Sequence, residues 1–296
     1  MMFPDSQVRD YIFGDPSDAA RLEWGVAPLR FVPSRELLEA VSAAMVESWL
    51  DCSLLRHPFF SVVQNHEPVS LDEVGANRVV AGVAYDGYID GTAVRARLAR
   101  GATLLLANVH EWHAPMRTVC GDLAQLTGCK TGAVVFWTGP DSPGLRVHRD
   151  DCHVFIVQLA GAKRWRLYDV PADAAAWAPG FLTGVPAHEP TVIDLQAGDA
   201  VYVPKGQAHA TESVGGSSLH LSITVREPEY RELIQLALQA CTANVPKHRA
   251  LTGERNERER AAKAYLEQVA DALGRVNVSK LVASLEKRVS QTKGSA

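Results

Sequence analysis

The stretch that decides the reading of this chain is GLRVHRDDCHVFIVQLAGAKRWRLY, residues 144–168. It is extended in character, with apolar residues crowded between 152 and 159 and an alternating charged and apolar run from Lys163 onward. Residues two apart in a strand share a face, so His148 and Asp150 point one way and Arg149 and Asp151 the other. Two imidazoles and one carboxylate form a facial ligand set that suits non-haem Fe(II). His209, downstream of the turn Pro204-Lys205-Gly206, supplies the second imidazole. An isolated His-x-Asp tripeptide is weak evidence, because many arise by chance on exposed strands. Set among strands and completed by a later histidine, it becomes specific.

Outward from this stretch, short extended segments are punctuated by Gly and Pro. Residues 133–138 precede it across the turn-rich run 139–144, and residues 191–195, 200–203, 208–213 and 217–225 follow. Gly161 reads as a turn between two strands. This pattern predicts a sandwich or jelly roll rather than a parallel sheet. Upstream, capping residues and apolar spacing predict helices at 15–20, 36–50, 92–99 and 110–126, the last ended by Gly128. Strands are expected at 59–63, 78–83 and 102–106. After Pro228, three apolar stripes predict helices that need a partner to bury against. The expected class is mainly β with helices (α+β), with a mixed N-terminal region (1–100), a β core (101–226) and a C-terminal helical module (227–296).

The bulk numbers exclude several classes. A formal charge of −4 over 296 residues gives no basic field, so nucleic acid is not an expected partner. Residues 231–296 carry +5 and the remainder −9, which reads as a solvated helical face. Five scattered cysteines without a CxxC pair argue against a disulfide scaffold and a thiolate zinc site, and fit a reducing, cytoplasmic setting. The N-terminus lacks the basic flank and apolar run of a signal peptide. No apolar stretch approaches the roughly 20 residues of a membrane span, so no membrane association is expected.

Three runs, residues 144–168, DLQAGDAVYVPKGQAH (194–209) and SLHLSITV (218–225), resemble the JmjC-type cupin-4 oxygenases, a group that includes the ribosomal oxygenases. The resemblance covers residues 101–225 well and the upstream part loosely. It implies a double-stranded β-helix (jelly roll, cupin) core and the use of Fe(II), 2-oxoglutarate and O2 in a dioxygenase that hydroxylates an amino-acid side chain. The matching iron ligands are His148, Asp150 and His209. The family's basic residue for the distal carboxylate of 2-oxoglutarate falls at Lys163, with Arg164 and Arg166 as rivals on the other face. Thr224, on the last strand, is a candidate hydroxyl for the same carboxylate. Gln158 shares parity with Asp150 and is read as facing substrate, whereas Trp165 is read as core, His153 as wall or surface, and His220 as a packed barrel histidine.

A peptide or protein is the expected substrate, and the C-terminal helices are expected to form a homodimer. The alternatives are a catalytically silent metal- or ligand-binding cupin and a hydroxylase of a free or carrier-bound amino acid.

Overall fold

A computed structural model of the protein describes residues 11–169, 178–242 and 251–290. The chain divides into two compact units, residues 1–127 with 131–226, and residues 128–130 with 227–296. In chain order the strands are β1 (Leu29–Phe31), β2 (Phe60–Gln64), β3 (Glu67–Pro68), β4 (Gly75–Val80), β5 (Val83–Ile89), β6 (Thr103–Leu106), β7 (Lys130–Thr138), β8 (His148–Arg149), β9 (His153–Leu167), β10 (Gly180–Phe181), β11 (Thr191–Gln196), β12 (Ala200–Val203) and β13 (His209–Arg226). Among the described residues, eleven of them form one sheet in the order β1-β12-β9-β13-β7-β6-β2-β3, with β11 on β9, and β8 between β13 and β10. The remaining two, β4 and β5, form a hairpin. The architecture is the mixed, largely antiparallel one expected.

The long strands β9 and β13 run antiparallel along most of their lengths, from Val225↔His153 to His209↔Leu167. The expected turn at Gly161 is instead a bend within one continuous strand. Gly161 has φ +64°, and a Cβ there would run into the Ser217 carbonyl. Opposite it Gly215 and Gly216 also take positive φ, and the register slips between Val214 and Leu219 and again before His220. Glycines and bulges of this kind let a strand turn a barrel corner without ending.

The bend sets which side chains face inward. Before it, Val154 and Ile156 line the interior, while His153 and Phe155 pack outward. Trp24 stacks on His153 at 3.9 Å, and Phe13 and Phe31 meet Phe155 edge-on. Full burial of Phe155 contributes about 1.5–3 kcal/mol to this seam. After the bend, Lys163 and Trp165 face the interior. Arg164 and Arg166 point away and pair with Asp194 and Glu212.

Three upstream elements differ from expectation for local reasons. The helix expected over 36–50 is two helices, Arg35–Ala40 and Ala43–Cys52, because Val41 is extended and Ser42 caps the second through Met45 N. His113, also extended, splits the next into Val109–Trp112 and Ala114–Thr127. The strand expected at 78–83 is the β4–β5 hairpin, reversed at Ala81 and Gly82, both at positive φ.

The second unit contains helices Tyr230–Cys241, Arg255–Gly274 and Val278–Ser290, with Leu236, Val269 and Leu281 buried among them. Capping boxes at Glu229/Glu232 and Glu254/Glu257 satisfy the first-turn amides of the first two. Among the described residues, no helix is long and apolar enough to cross a membrane.

Candidate metal centre and cavity

β8 is only two residues long, and its position is what makes a site. His148 lies opposite His209 of β13 on one side and Phe181 of β10 on the other. The donor atoms of His148, Asp150 and His209 all lie within 4.8 Å of one another. Asp150 reaches both imidazoles, with Oδ1 at 3.8 Å from His148 Nε2 and Oδ2 at 3.7 Å from His209 Nε2.

Both rings are oriented the same way. His148 Nδ1 meets the Arg146 carbonyl at 2.8 Å, and His209 Nδ1 meets the Gln207 carbonyl at 3.0 Å. A carbonyl only accepts, so each Nδ1 carries a proton and each Nε2 is the nitrogen turned toward the other two triad residues. Burial, then the neighbouring His148, push His209 down to about 4, which keeps it in the neutral form that metal binding requires.

Arg149, between two of the three triad residues, points out of the cavity as its parity requires, and there it acts as a strap. Its guanidinium donates to the Gly206 carbonyl and, at 3.4 Å, to that of Asp169. Gly206 N in turn donates to the Asp150 carbonyl at 3.0 Å. The turn that precedes His209 is thereby tied to the segment that carries His148 and Asp150.

The three residues open onto a cavity of about 220 Å³. Its mouth holds an Asp151–Arg226 ion pair at 2.5 Å. Beside His148, Phe181 is 55% exposed, its ring 5.7 Å from the imidazole and under the Arg146 guanidinium at 5.0 Å. The inner end is closed and polar. Lys163 is 2% exposed and donates to Thr138 Oγ1 at 2.9 Å. Desolvation pushes its ammonium down to about 7. Trp165 and His220 share this wall, and neither Trp165 Nε1 nor His220 Nδ1 has a hydrogen-bond partner among the described residues. Each such buried, unpaired group costs about 1–3 kcal/mol.

The structure thus brings His148, Asp150, His209, Lys163 and Thr224 to one cavity. The hydroxyl that meets the Lys163 ammonium is Thr138, whereas Thr224 lies two residues from Arg226 toward the mouth. Gln158 does not face a substrate. It is fully buried, donating to the Ala160 carbonyl and to Ser218 Oγ, beyond the last cavity-lining residue of its strand segment, Ile156. Trp165 is both core and cavity wall, a role its shared parity with Lys163 could have signalled. Phe181 carried no signal in the sequence, because only the β8–β10 pairing brings it beside His148. His153 faces away, its Nδ1 on the Tyr202 hydroxyl, and His110 accepts from Ala133 N.

A bent antiparallel barrel with His-x-Asp and a distant His at its mouth defines a cupin-type, metal-binding class of protein. Residues 111–233 match the JmjC domain family. It is 31% identical over 181 residues to the bifunctional lysine-specific demethylase and histidyl-hydroxylase NO66 of Drosophila erecta, which covers 59% of this chain and 26% of that protein. The Drosophila melanogaster protein of the same name is 33% identical over 141 residues, covering 46% and 22%. The chain therefore spans about a quarter of the length of these curated relatives. Among solved structures, Escherichia coli YcfD has the same fold, with a TM-score of 0.54 at 18% identity over 87% of this chain and 68% of that one. A second structure, of YcfD as a ribosomal oxygenase in complex with cobalt and 2-oxoglutarate, gives 0.52 at 16% over 87% and 67%.

Proposed function

We propose that this chain is an Fe(II)- and 2-oxoglutarate-dependent oxygenase that hydroxylates an amino-acid side chain of a peptide or protein. The observation that carries this reading is the pairing of two unlike ends in one cavity. A triad of two imidazoles and a carboxylate stands at the mouth, and a buried lysine stands at the closed end. The donor set suits a borderline metal such as iron and leaves coordination positions for other ligands. Among the described residues Lys163 has no carboxylate partner, and burial alone drives its shift, so the inner wall fits an anionic ligand. A two-ended anion reaching from Lys163 toward the triad satisfies both ends, as 2-oxoglutarate does.

When bound, iron and 2-oxoglutarate supply the oxidising chemistry. The chain's own residues do the rest. His148, Asp150 and His209 hold the metal, Lys163 and Thr138 hold the distal carboxylate, and the apolar walls Val154, Ile156 and Val203 exclude water. The names of the relatives, a histidyl-hydroxylase and a ribosomal oxygenase, support a protein side chain as the substrate class. The exposed aromatic Phe181 and the Asp151–Arg226 pair at the mouth are the surfaces such a chain would meet first.

The second unit leaves Tyr230, Ile234, Leu266 and Val278 exposed, and we assign these to a homodimer contact. Sedimentation equilibrium should show twice the chain mass; a monomer excludes it.

The functional test is direct. Purified protein with Fe(II), 2-oxoglutarate and O2 should form succinate slowly without substrate. A proteome-wide peptide comparison should reveal a peptide that gains one oxygen only with active enzyme. Absence of both succinate formation and 2-oxoglutarate binding would show a silent cupin instead.

A further inference from the structure

Among the described residues, one arginine that packs on an aromatic ring differs from the others. Arg56 and Arg78 both lie over Tyr88, at 5.8 and 5.5 Å, and both guanidiniums are committed, Arg56 to Asp86 and Arg78 to the Cys52 carbonyl. Arg146 lies over Phe181 at 5.0 Å, and among the described residues its guanidinium has neither a hydrogen bond nor a carboxylate partner. The other arginines around the triad are taken: Arg149 donates to the Gly206 carbonyl and Arg226 pairs with Asp151.

An unpaired arginine on a surface is ordinary in itself, since water solvates it. Two features set Arg146 apart. Its backbone carbonyl accepts from His148 Nδ1 at 2.8 Å, which fixes the residue to the triad. Its side chain is seated on a ring that is itself 55% exposed and 5.7 Å from the His148 imidazole. The pairing Phe181↔His148 between β10 and β8 sets ring and imidazole side by side. A guanidinium stacked on a ring uses its face there and keeps its N–H edge, a planar fork that fits a carboxylate. Aromatic residues and arginine are also the types enriched where polypeptides dock.

We propose that Arg146, seated on Phe181, is a specificity-determining residue that binds a carboxylate of the substrate, so that the polypeptide modified at the triad is acidic near its target residue. This rests on the reading above that the site hydroxylates a polypeptide side chain. Net charge does not make the choice. The chain carries −4 overall, which disfavours an acidic partner, so a preference for one has to come from a local cation. Two contacts, of 5.7 and 5.0 Å, lead from the imidazole to the guanidinium. An extended chain advances about 3.3 Å per residue, so the carboxylate falls within a few residues of the target.

The test uses full-length protein loaded with zinc and 2-oxoglutarate, and two pools of random decapeptides that carry the same dye and are amidated at the C-terminus. One pool has Asp or Glu at alternate positions, the other Lys or Arg. Fluorescence anisotropy at low salt should show the acidic pool binding about fivefold more tightly, the size an exposed ion pair supports. The difference should shrink as salt is raised. Arg146→Glu should reverse the order, whereas Arg258→Glu, the same charge change on an exposed residue of the second unit, should leave it. Phe181→Ala should diminish the preference, because the guanidinium loses its seat. With iron and O2 in place of zinc, peptides that gain one oxygen by mass spectrometry should come from the acidic pool; if neither pool gains oxygen, the binding order decides. Equal binding of the two pools, an acid preference that survives Arg146→Glu, or oxygen gained only in the basic pool would overturn this inference. Succinate formation would then leave the oxygenase reading standing. No binding of 2-oxoglutarate to the unmodified protein would overturn both.

Discussion

The two ends of the cavity are built by different means. The mouth depends on a two-residue strand, a His-x-Asp pair set by local parity, and a turn strapped down by Arg149. Two of its three triad side chains are partly exposed, His148 at 15% and Asp150 at 38%, while His209 is buried. The inner end rests on the two longest strands, bent together at Gly161, and holds a lysine cut off from water. The mouth is thus assembled from short pieces tied together by a few hydrogen bonds. The closed end is fixed by strand pairing, where one charge must meet one ligand.

The sharpest way to break this division is at the triad. His148→Ala or Asp150→Ala should abolish iron binding and succinate formation while leaving the thermal midpoint of the metal-free protein nearly unchanged. Metal content after desalting checks it, and an iron-binding Asp150→Ala protein would remove the mouth from the chemistry.

At the other end, Lys163→Ala should raise the half-saturating 2-oxoglutarate concentration by about thirtyfold or more, since it truncates a buried charged contact. Iron affinity should hold. Arg164→Ala, which loses outward-facing pairs with Asp194 and Glu212, should leave that concentration unchanged. The reverse result would mean that Arg164, not Lys163, faces the cavity.

Arg149→Ala tests whether the strap matters to the mouth alone. Metal affinity should fall about tenfold, as for other groups that support a ligand shell without joining it. The affinity of the metal-loaded protein for 2-oxoglutarate should change little. Titration calorimetry with each ligand separates the two effects.

The smallest effect is one of pH. Lys163 titrates near 7 in the fold, against an ordinary value of 10.5. The unfolded chain therefore binds more protons between those values, and this group makes the free protein more stable as pH rises from 7 to 10.5. A bound carboxylate favours the ammonium, so binding at pH 8 takes up a proton. Affinity for 2-oxoglutarate should then fall by up to about tenfold per pH unit above 7. Calorimetry at pH 8 in buffers of different ionisation enthalpy measures the uptake, and zero uptake would mean that Lys163 is already charged in the free protein.

Much of the site was legible because its signals are local. A period of two places His148 and Asp150 together whatever the strand pairs with, and the turn at Pro204–Gly206 announces His209. Caps at Asp15, Ser34 and Asp90 mark helix starts by the same local logic. The illegible part lies beyond Gly161. Val154 and Ile156 face the cavity, so a straight count would turn Arg164 and Arg166 inward and Lys163 outward. The structure has the opposite, because the bend moves the inward set from even to odd positions. The same discontinuity explains Gln158, which keeps the right parity yet lies beyond the cavity's end.

By itself, then, the sequence determined the ligand types, their shared face and the barrel class, since strand periodicity and turn chemistry act over a few residues. Only the tertiary structure decided which basic side chain is buried, that Trp165 and His220 share its wall, and that Phe181 lies beside His148. Parity survives only as far as the next bulge, and where a bulge falls is set by the partner strand.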